Sequence, residues 1–286
     1  YSTALADLDL SLNSIDFNGL HSFRQMVEVG GCSGLTRLNL CDTEICKRGA
    51  IELGEALRSL TTLRSLNVSK NDILDNPDAV HGVVLDEVHG LVSVLQKCTH
   101  CALTELDIGS DAISPASMEQ LAPLLPLLTS LTRLSIQENK LGIPGLFSLE
   151  KAVRVWPHLT DLNLRSVVRG KYDVGRSVAA ILRVGTSLQK LNANENNIVK
   201  KGIRSIAHAL SEHSTLTELR LAHNEVTEPC ALVFLEFPPS SSLVTLDLTC
   251  NDEIGYRVYC QLHTRLGCTL IATVIDPVTG ARVARQ

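Results

Sequence analysis

The stretch LQKLNANENNIVKKGIRSIAHALSEHST, Leu188 to Thr215, is one complete copy of a unit that recurs along the chain. Counting Leu188 as position 1, apolar residues fall at Leu188, Leu191, Ala193 and Ile198 (positions 1, 4, 6 and 11), with Asn196 at position 9. That spacing predicts a short strand closed by an asparagine turn. In the second half Gly202, Ile206, Ala209 and Leu210 follow G-x-x-x-L-x-x-A-L, which places Ile203, Ile206 and Leu210 on one helical face. One strand and one short helix cannot bury their own apolar faces, so the unit is stable only against further copies.

The copies are present. Position 1 falls at Leu5, Leu35, Leu63, Leu103, Leu131, Leu159, Leu188, Leu216 and Leu243, with successive spacings of 30, 28, 40, 28, 28, 29, 28 and 27 residues. Position 9 is Asn or Asp in every repeat except at Thr43 and Val167, and a buried Asn there satisfies turn backbone that no sheet ladder reaches. Small residues at position 15, among them Gly19, Gly49, Gly145, Gly202, Ser117 and Cys230, fit a crowded helix start.

These residues resemble the leucine-rich repeats, and within them the ribonuclease-inhibitor-like class with consensus LxxLxLxxNxLxxxGxxxLxxAL, over about residues 5 to 254. The resemblance implies an α/β leucine-rich-repeat solenoid, a right-handed curved horseshoe with a parallel inner sheet and outer helices. Members of this class include inhibitors, innate-immune sensor domains, activators of the Ran GTPase, actin-filament cappers and subunits of ciliary complexes. Binding other macromolecules is what they share. The expected organisation is nine repeats over 1–254 and a C-terminal cap over 255–286, in which a helix over Tyr256 to Leu266 and a strand over Thr269 to Ile275 precede a turn and a short edge strand.

Composition narrows the function. The net charge is −5, from 26 basic and 31 acidic residues, with five Phe, four Tyr and one Trp. A basic face or a stacking platform for nucleic acid is therefore not expected. No apolar run approaches the roughly 18 residues of a membrane span. The nine cysteines sit singly in the repeat frame, which reads as reduced thiols in a cytoplasmic compartment, association with cytoskeletal structures included. The chain enters its first strand almost at once, so its N-terminal edge is expected to be covered by further sequence or by a partner.

Catalytic motifs, phosphate loops and H-E-x-x-H are missing from the sequence. The expected function is a non-enzymatic protein-protein interaction scaffold, a subunit of a larger assembly, with no cofactor and no metal. A regulator of a small GTPase, acting through Arg48 or Arg169, and the sensor repeats of a larger signalling protein are the alternatives.

Two repeats depart from the pattern. The third is 40 residues long. With Leu95 as its last core leucine, ten extra residues precede the helix and two follow it. Asn76, Pro77 and Asp78 form a good helix start, and Val80, Val84, Val88, Leu91, Val92 and Leu95 continue one stripe with Gly82 and Gly90 as weak points. Beyond it lies Cys98-Thr99-His100-Cys101, half a zinc site in form, with His81 and His89 upstream; plain turn residues are the alternative. In the sixth repeat Val167 replaces the Asn and Arg169 the apolar residue at position 11, so the loop from Arg165 to Tyr172 is expected to bulge with Arg165, Arg169 and Lys171 exposed. Candidate partner-binding residues are thus Asp75, Asp78 and His81 on one feature and Arg165, Arg169, Lys171 and Tyr172 on the other, set on one rim. On the strand face position 3 alternates in sign from Glu105 through Arg133, Asp161 and Lys190 to Glu218, a ladder expected mostly to satisfy itself, and position 5 is short and polar, with Arg165, Arg220 and His223 as the exceptions on this face.

Overall fold

The computed structural model describes residues 5–71, 73, 89–99, 101–168, 173–239, 242–251, 254–275 and 282–285. They fall into two compact units, Tyr1–Leu141 and Gly142–Gln286, built by one rule. In the first, β1 (Asp7–Asp9), β2 (Arg37–Asn39), β3 (Ser65–Asn67), β4 (Glu105–Asp107) and β5 (Arg133–Ser135) lie parallel and in register, so that Leu8, Leu38, Leu66, Leu106 and Leu134 stand opposite one another. Helices α1 (Phe17–Glu28), α2 (Lys47–Leu57), α3 (His89–Cys98) and α4 (Pro115–Leu121) alternate with them. In the second, α5 (Gly142–Arg154), α6 (Gly175–Val184) and α7 (Lys200–Glu212) alternate with β6 (Asp161–Asn163), β7 (Lys190–Asn192), β8 (Glu218–Arg220) and β9 (Thr245–Leu248).

Each strand is three or four residues long because only its middle leucine has a core to enter. Successive side chains alternate between faces, so position 4 turns inward and positions 3 and 5 turn out. Leu38, Leu66, Leu162, Leu191, Leu219 and Leu246 are all within 1% of complete burial. Each contributes about 1.5 to 3 kcal/mol by leaving water, and repetition makes the sum large enough to hold such short strands.

The position-9 residues form a second ladder beneath the sheet. Asn71 accepts the amides of Thr43 and Ile45 on its Oδ1 and donates from Nδ2 to the carbonyls of Leu40, Val68 and Ser69. Asn139 does the same for Asp111 and Ile113, and Asn224 for Asn196 and Ile198. One side chain thus sews the turn of its own repeat to the turn of the repeat before it.

The turn itself is left-handed at position 8 in every repeat: Leu12, Asp42, Lys70, Ser110, Glu138, Ser166, Glu195, His223 and Cys250 have φ between 53° and 59°. For non-glycine residues this conformation costs about 1 to 2 kcal/mol. It is held by the next repeat, because the amides of Asp42, Lys70, Ser110 and Glu195 donate to the carbonyls of Ser69, Gly109, Gln137 and Ala222 at 2.8 to 3.0 Å.

The second unit closes on a different motif. Helix α8 (Tyr256–Leu266) spans the residues expected for it and ends at Gly267, whose φ is 66°. Strand β11 (Thr269–Ile275) then pairs with β9 through 269–272 and with the short β10 (Ile254–Gly255) through 274–275, both parallel. The last strand, β12 (Arg282–Arg285), runs antiparallel along β11. The turn expected over 276–280 lies outside the described residues.

The third repeat corrects the expected placement of its extra residues. Gly90 is not a weak point of a stripe: it occupies the crowded helix-start slot, where a Cβ would meet the Ile73 carbonyl at 2.9 Å and Ala50 Cβ at 3.1 Å. The last core position of α3 belongs to Cys98, fully buried, rather than to Leu95, which lies one turn earlier. The insertion therefore precedes Gly90, and the helix-to-strand turn gains nothing. The helix start at Asn76 to Asp78 lies outside the described residues.

Candidate functional site

The open face of the sheet is made by positions 3 and 5. Position 5 was legible as short and polar, and the structure supplies the reason. Asn39, Asn67, Asp107, Asn163, Asn192 and Asp247 each accept, through Oδ1, the amide two residues ahead, at 2.9 to 3.1 Å. Each caps the end of its own strand in an Asx turn, and burial raises the Asp107 carboxyl pKa against the opposing pull of the Gly109 amide. These side chains hold the strand ends and leave position 3 to present chemistry.

Position 3 is an ion-pair ladder. Asp7 pairs with Arg37 at 3.0 Å, Glu105 with Arg133, and Lys190 with Glu218 at 3.7 Å. Over β6 to β8 the ladder opens into a depression of about 170 Å³ lined by Asp161, Asn163, Lys190, Leu191, Asn192, Glu218 and Arg220. Glu218 sits low, with its side chain 20% exposed, and receives both Lys190 and Arg220, whose side chains are 56% and 51% exposed. Glu218 is the less exposed partner in both pairs. His223 is exposed on the left-handed turn that follows β8.

Arg165 and Arg220 thus belong to the strand face and its border. Arg165 does not bulge outward. Its guanidinium makes a two-pronged pair with Glu195, Nε to Oε1 at 2.8 Å and the second nitrogen to Oε2 at 3.0 Å. Val167 and Val168 are buried beside it, and Val167 donates its amide to Asn196 Oδ1. Residues 165–168 turn inward because two valines find the core that the missing Asn would have closed. Asp75, Asp78, His81, Arg169, Lys171 and Tyr172 lie outside the described residues, so the two features proposed to share a rim are not brought together by anything described.

Lys190 and Glu218 are candidate site residues that the sequence does not single out, because opposite charges on neighbouring strands read as a self-satisfied pair. Unequal exposure within the pair was the missing quantity.

Of the half zinc site read in the sequence, Cys98 and Cys101 are described, whereas His81 and His100 lie outside the described residues. Burial raises Cys98 well above the ordinary thiol value and pushes Cys101 up to about 11, so both are thiols rather than thiolates near neutrality. Cys101 Sγ donates to the Leu57 carbonyl at 3.3 Å, a structural use. Among the described residues no group of three or more His, Cys, Asp or Glu is placed to hold a metal ion, and no helix is long and apolar enough to cross a membrane.

The Leucine Rich repeat family model matches residues 59–77, 212–229 and 240–257, each match straddling a strand and turn of the kind just described. The chain belongs to the leucine-rich-repeat proteins, in the ribonuclease-inhibitor-like class. This repeat chain is 30% identical over 275 residues to human NACHT, LRR and PYD domains-containing protein 3, covering 94% of its own length and 25% of that relative. It is 27% identical to pig ribonuclease inhibitor, over 93% of its own length and 57% of the inhibitor. It therefore spans about a quarter of the first relative and just over half of the second. Among solved structures, the leucine-rich repeat-containing protein LegL7 from Legionella pneumophila superposes with a TM-score of 0.61 at 19% identity, covering 98% of this chain and 85% of that one, which shows the fold. A leucine-rich-repeat fold implies protein-protein interaction.

Proposed function

We propose that this repeat chain is a non-catalytic protein-binding scaffold of a cytoplasmic assembly and that its partner docks on the open face over β6, β7 and β8. The observation that carries the reading is the unequal exposure around Glu218: the Lys190 and Arg220 side chains are 56% and 51% exposed, against 20% for the carboxylate side chain they share. A partner meets two cations first. Acidic side chains on a protein loop fit that surface, and the absence of aromatic side chains from the depression favours an interface of polar contacts over one built on apolar anchors.

Quantitative affinity capture followed by mass spectrometry tests it with three forms of the chain: unaltered, Lys190→Glu with Arg220→Glu, and Arg169→Glu with Lys171→Glu. The first pair of substitutions is expected to release the bound partners at unchanged folding. Release by the second pair alone would move the site to the rim of the sixth repeat.

A second reading, as the repeat segment of a larger signalling protein, is supported by the 94% coverage of this chain against a quarter of a relative whose name includes NACHT and PYD domains. Sequencing the full transcript tests it.

A further inference from the structure

Position 5 of β6, β7 and β9 is Asn163, Asn192 and Asp247, and each accepts through Oδ1 the amide two residues ahead. On β8 the same position is Arg220, whose side chain has no acceptor to offer. The amide it would have capped, that of Ala222, donates instead to Asn194 Oδ1 at 2.7 Å. Asn194 stands one repeat earlier, two residues beyond the Asn192 that caps its own amide. The neighbouring repeat thus takes over the structural duty of position 5 on β8, and the Arg220 side chain is not needed to end its strand.

Glu218 fixes how Arg220 is presented. Arg220 Nε donates to Glu218 Oε1, while Oε2 of the same carboxylate faces Lys190 Nζ at 3.7 Å. Asp247, in register beside Arg220 on β9, makes no ion pair with it among the described residues; its Oδ1 is taken by the amide and hydroxyl of Thr249 at 2.9 and 2.8 Å. A guanidinium held at Nε keeps its two terminal nitrogens as a second, planar donor edge. Among the described residues that edge has no partner. The Nδ2 of Asn192, in register with Arg220 on β7, has none either, and both residues line the depression over β6 to β8.

We propose that Arg220 is the residue that reads the partner: its terminal nitrogens take both oxygens of one carboxylate, from a single aspartate or glutamate side chain of a docked protein loop. The inference rests on the docking face proposed above and narrows what that face accepts. Two cations, Lys190 and Arg220, and two anions, Asp161 and Glu218, line the depression, so its charges sum to zero. One bound carboxylate brings the sum to about −1 and a phosphate ester to about −2, which makes a phosphorylated loop or a run of acidic residues the poorer fit. Asn194 is a positioning residue, since it acts only by releasing position 5 of β8 from its cap.

The test follows backbone and arginine side-chain NMR shifts of the full chain during titration, up to about 10 mM, with the acetylated peptide amide Gly-Ser-Glu-Ser-Gly. The same peptide with glutamine or phosphoserine in place of the glutamate serves as comparison. The unaltered chain is expected to bind the glutamate peptide roughly tenfold more tightly than the glutamine peptide, and more tightly than the phosphoserine peptide. Arg220→Lys keeps the charge and loses the fork, and is expected to bring the preference for glutamate below about threefold. Arg220→Asn is expected to lose that preference with no fall in Tm. Asn194→Ala is expected to lower Tm by about 2 °C, a loss that adding Arg220→Asn makes good, because an asparagine side chain then accepts the Ala222 amide from its own strand. A preference kept by Arg220→Lys, tighter binding of the phosphoserine peptide, or equal or undetectable binding of all three peptides would overturn the proposal. In affinity capture, partners released by Lys190→Glu with Arg220→Glu but retained by Arg220→Lys overturn this inference alone, whereas partners indifferent to the charge reversal overturn the docking face and this inference with it.

Discussion

Asn224 holds the backbone of Asn196: its Oδ1 accepts the Asn196 amide at 3.0 Å, and the Ile198 amide two residues on at the same distance. The Nδ2 of Asn224 then donates to the carbonyls of Ala193, Leu221 and Ala222. One buried amide side chain therefore satisfies five backbone groups in two repeats. Asn224→Ala removes all five contacts and is expected to cost about 2 to 5 kcal/mol in urea unfolding, since each buried group left unpaired costs about 1 to 3 kcal/mol. Asn13→Ala, where the same side chain is exposed and serves its own turn, is expected to cost less than about 1 kcal/mol.

The left-handed turn at position 8 makes the opposite kind of prediction. Lys70 has φ 58° and an exposed side chain, so its conformation is imposed by the Lys70 amide donating to the Gly109 carbonyl at 2.8 Å. Lys70→Gly relieves the strain and is expected to raise stability by about 0.5 to 1 kcal/mol after the larger backbone entropy of glycine is counted. Lys70→Val, β-branched at the same φ, is expected to lower it. Thermal melts of the two variants check the sign.

The repeat register, all nine strand positions and the buried role of position 9 were legible because apolar spacing repeats and errors in one copy are corrected by the others. The left-handed column was not legible. Its residues, from Leu12 to Cys250, share no side-chain chemistry, and the constraint acts on the backbone alone. The third repeat misled for a related reason: Leu95 looked like the last core leucine because a cysteine, Cys98, fills that place. At the strand face the residue types were legible while their exposures were not. In the sequence Lys190 and Glu218 therefore read as a self-satisfied pair, although Glu218 is 20% and Lys190 56% exposed.

Crowding between α6 and α7 gives a prediction of steric cost. A Cβ on Gly175 would lie 2.3 Å from the Gly202 Cα and 2.7 Å from its carbonyl carbon, both backbone atoms that no rotamer change can move. Gly175→Ala must push the helices apart and is expected to cost at least about 1 to 3 kcal/mol, despite the better helix propensity of alanine. A melting temperature equal to that of the unaltered chain would show that the helices do not approach as closely as the two glycines permit.

His213 gives a prediction in pH. It closes α7 as a neutral ring: Nε2 meets the Gly185 carbonyl at 3.1 Å, and Nδ1 accepts the amides of Thr215 at 3.4 Å and Leu216 at 3.2 Å. Protonation would turn that acceptor nitrogen into a donor facing two donors. Burial is the main cause that lowers its pKa below the ordinary value of 6.5, with the Gly185 carbonyl opposing. Near and below pH 6.5 the unfolded chain therefore binds more protons at this residue than the folded one, so unfolding free energy rises with pH there. The contribution of His213 is complete above the ordinary histidine value and is lost as pH falls through the lower folded value. His213→Asn removes the titrating ring. Urea unfolding at about pH 7.5 and about pH 5 is expected to show a smaller fall in stability for the variant than for the unaltered chain, each unit of pKa depression corresponding to about 1.4 kcal/mol. Equal falls in the two proteins would mean that the ring accepts its proton without leaving its place between the two repeats.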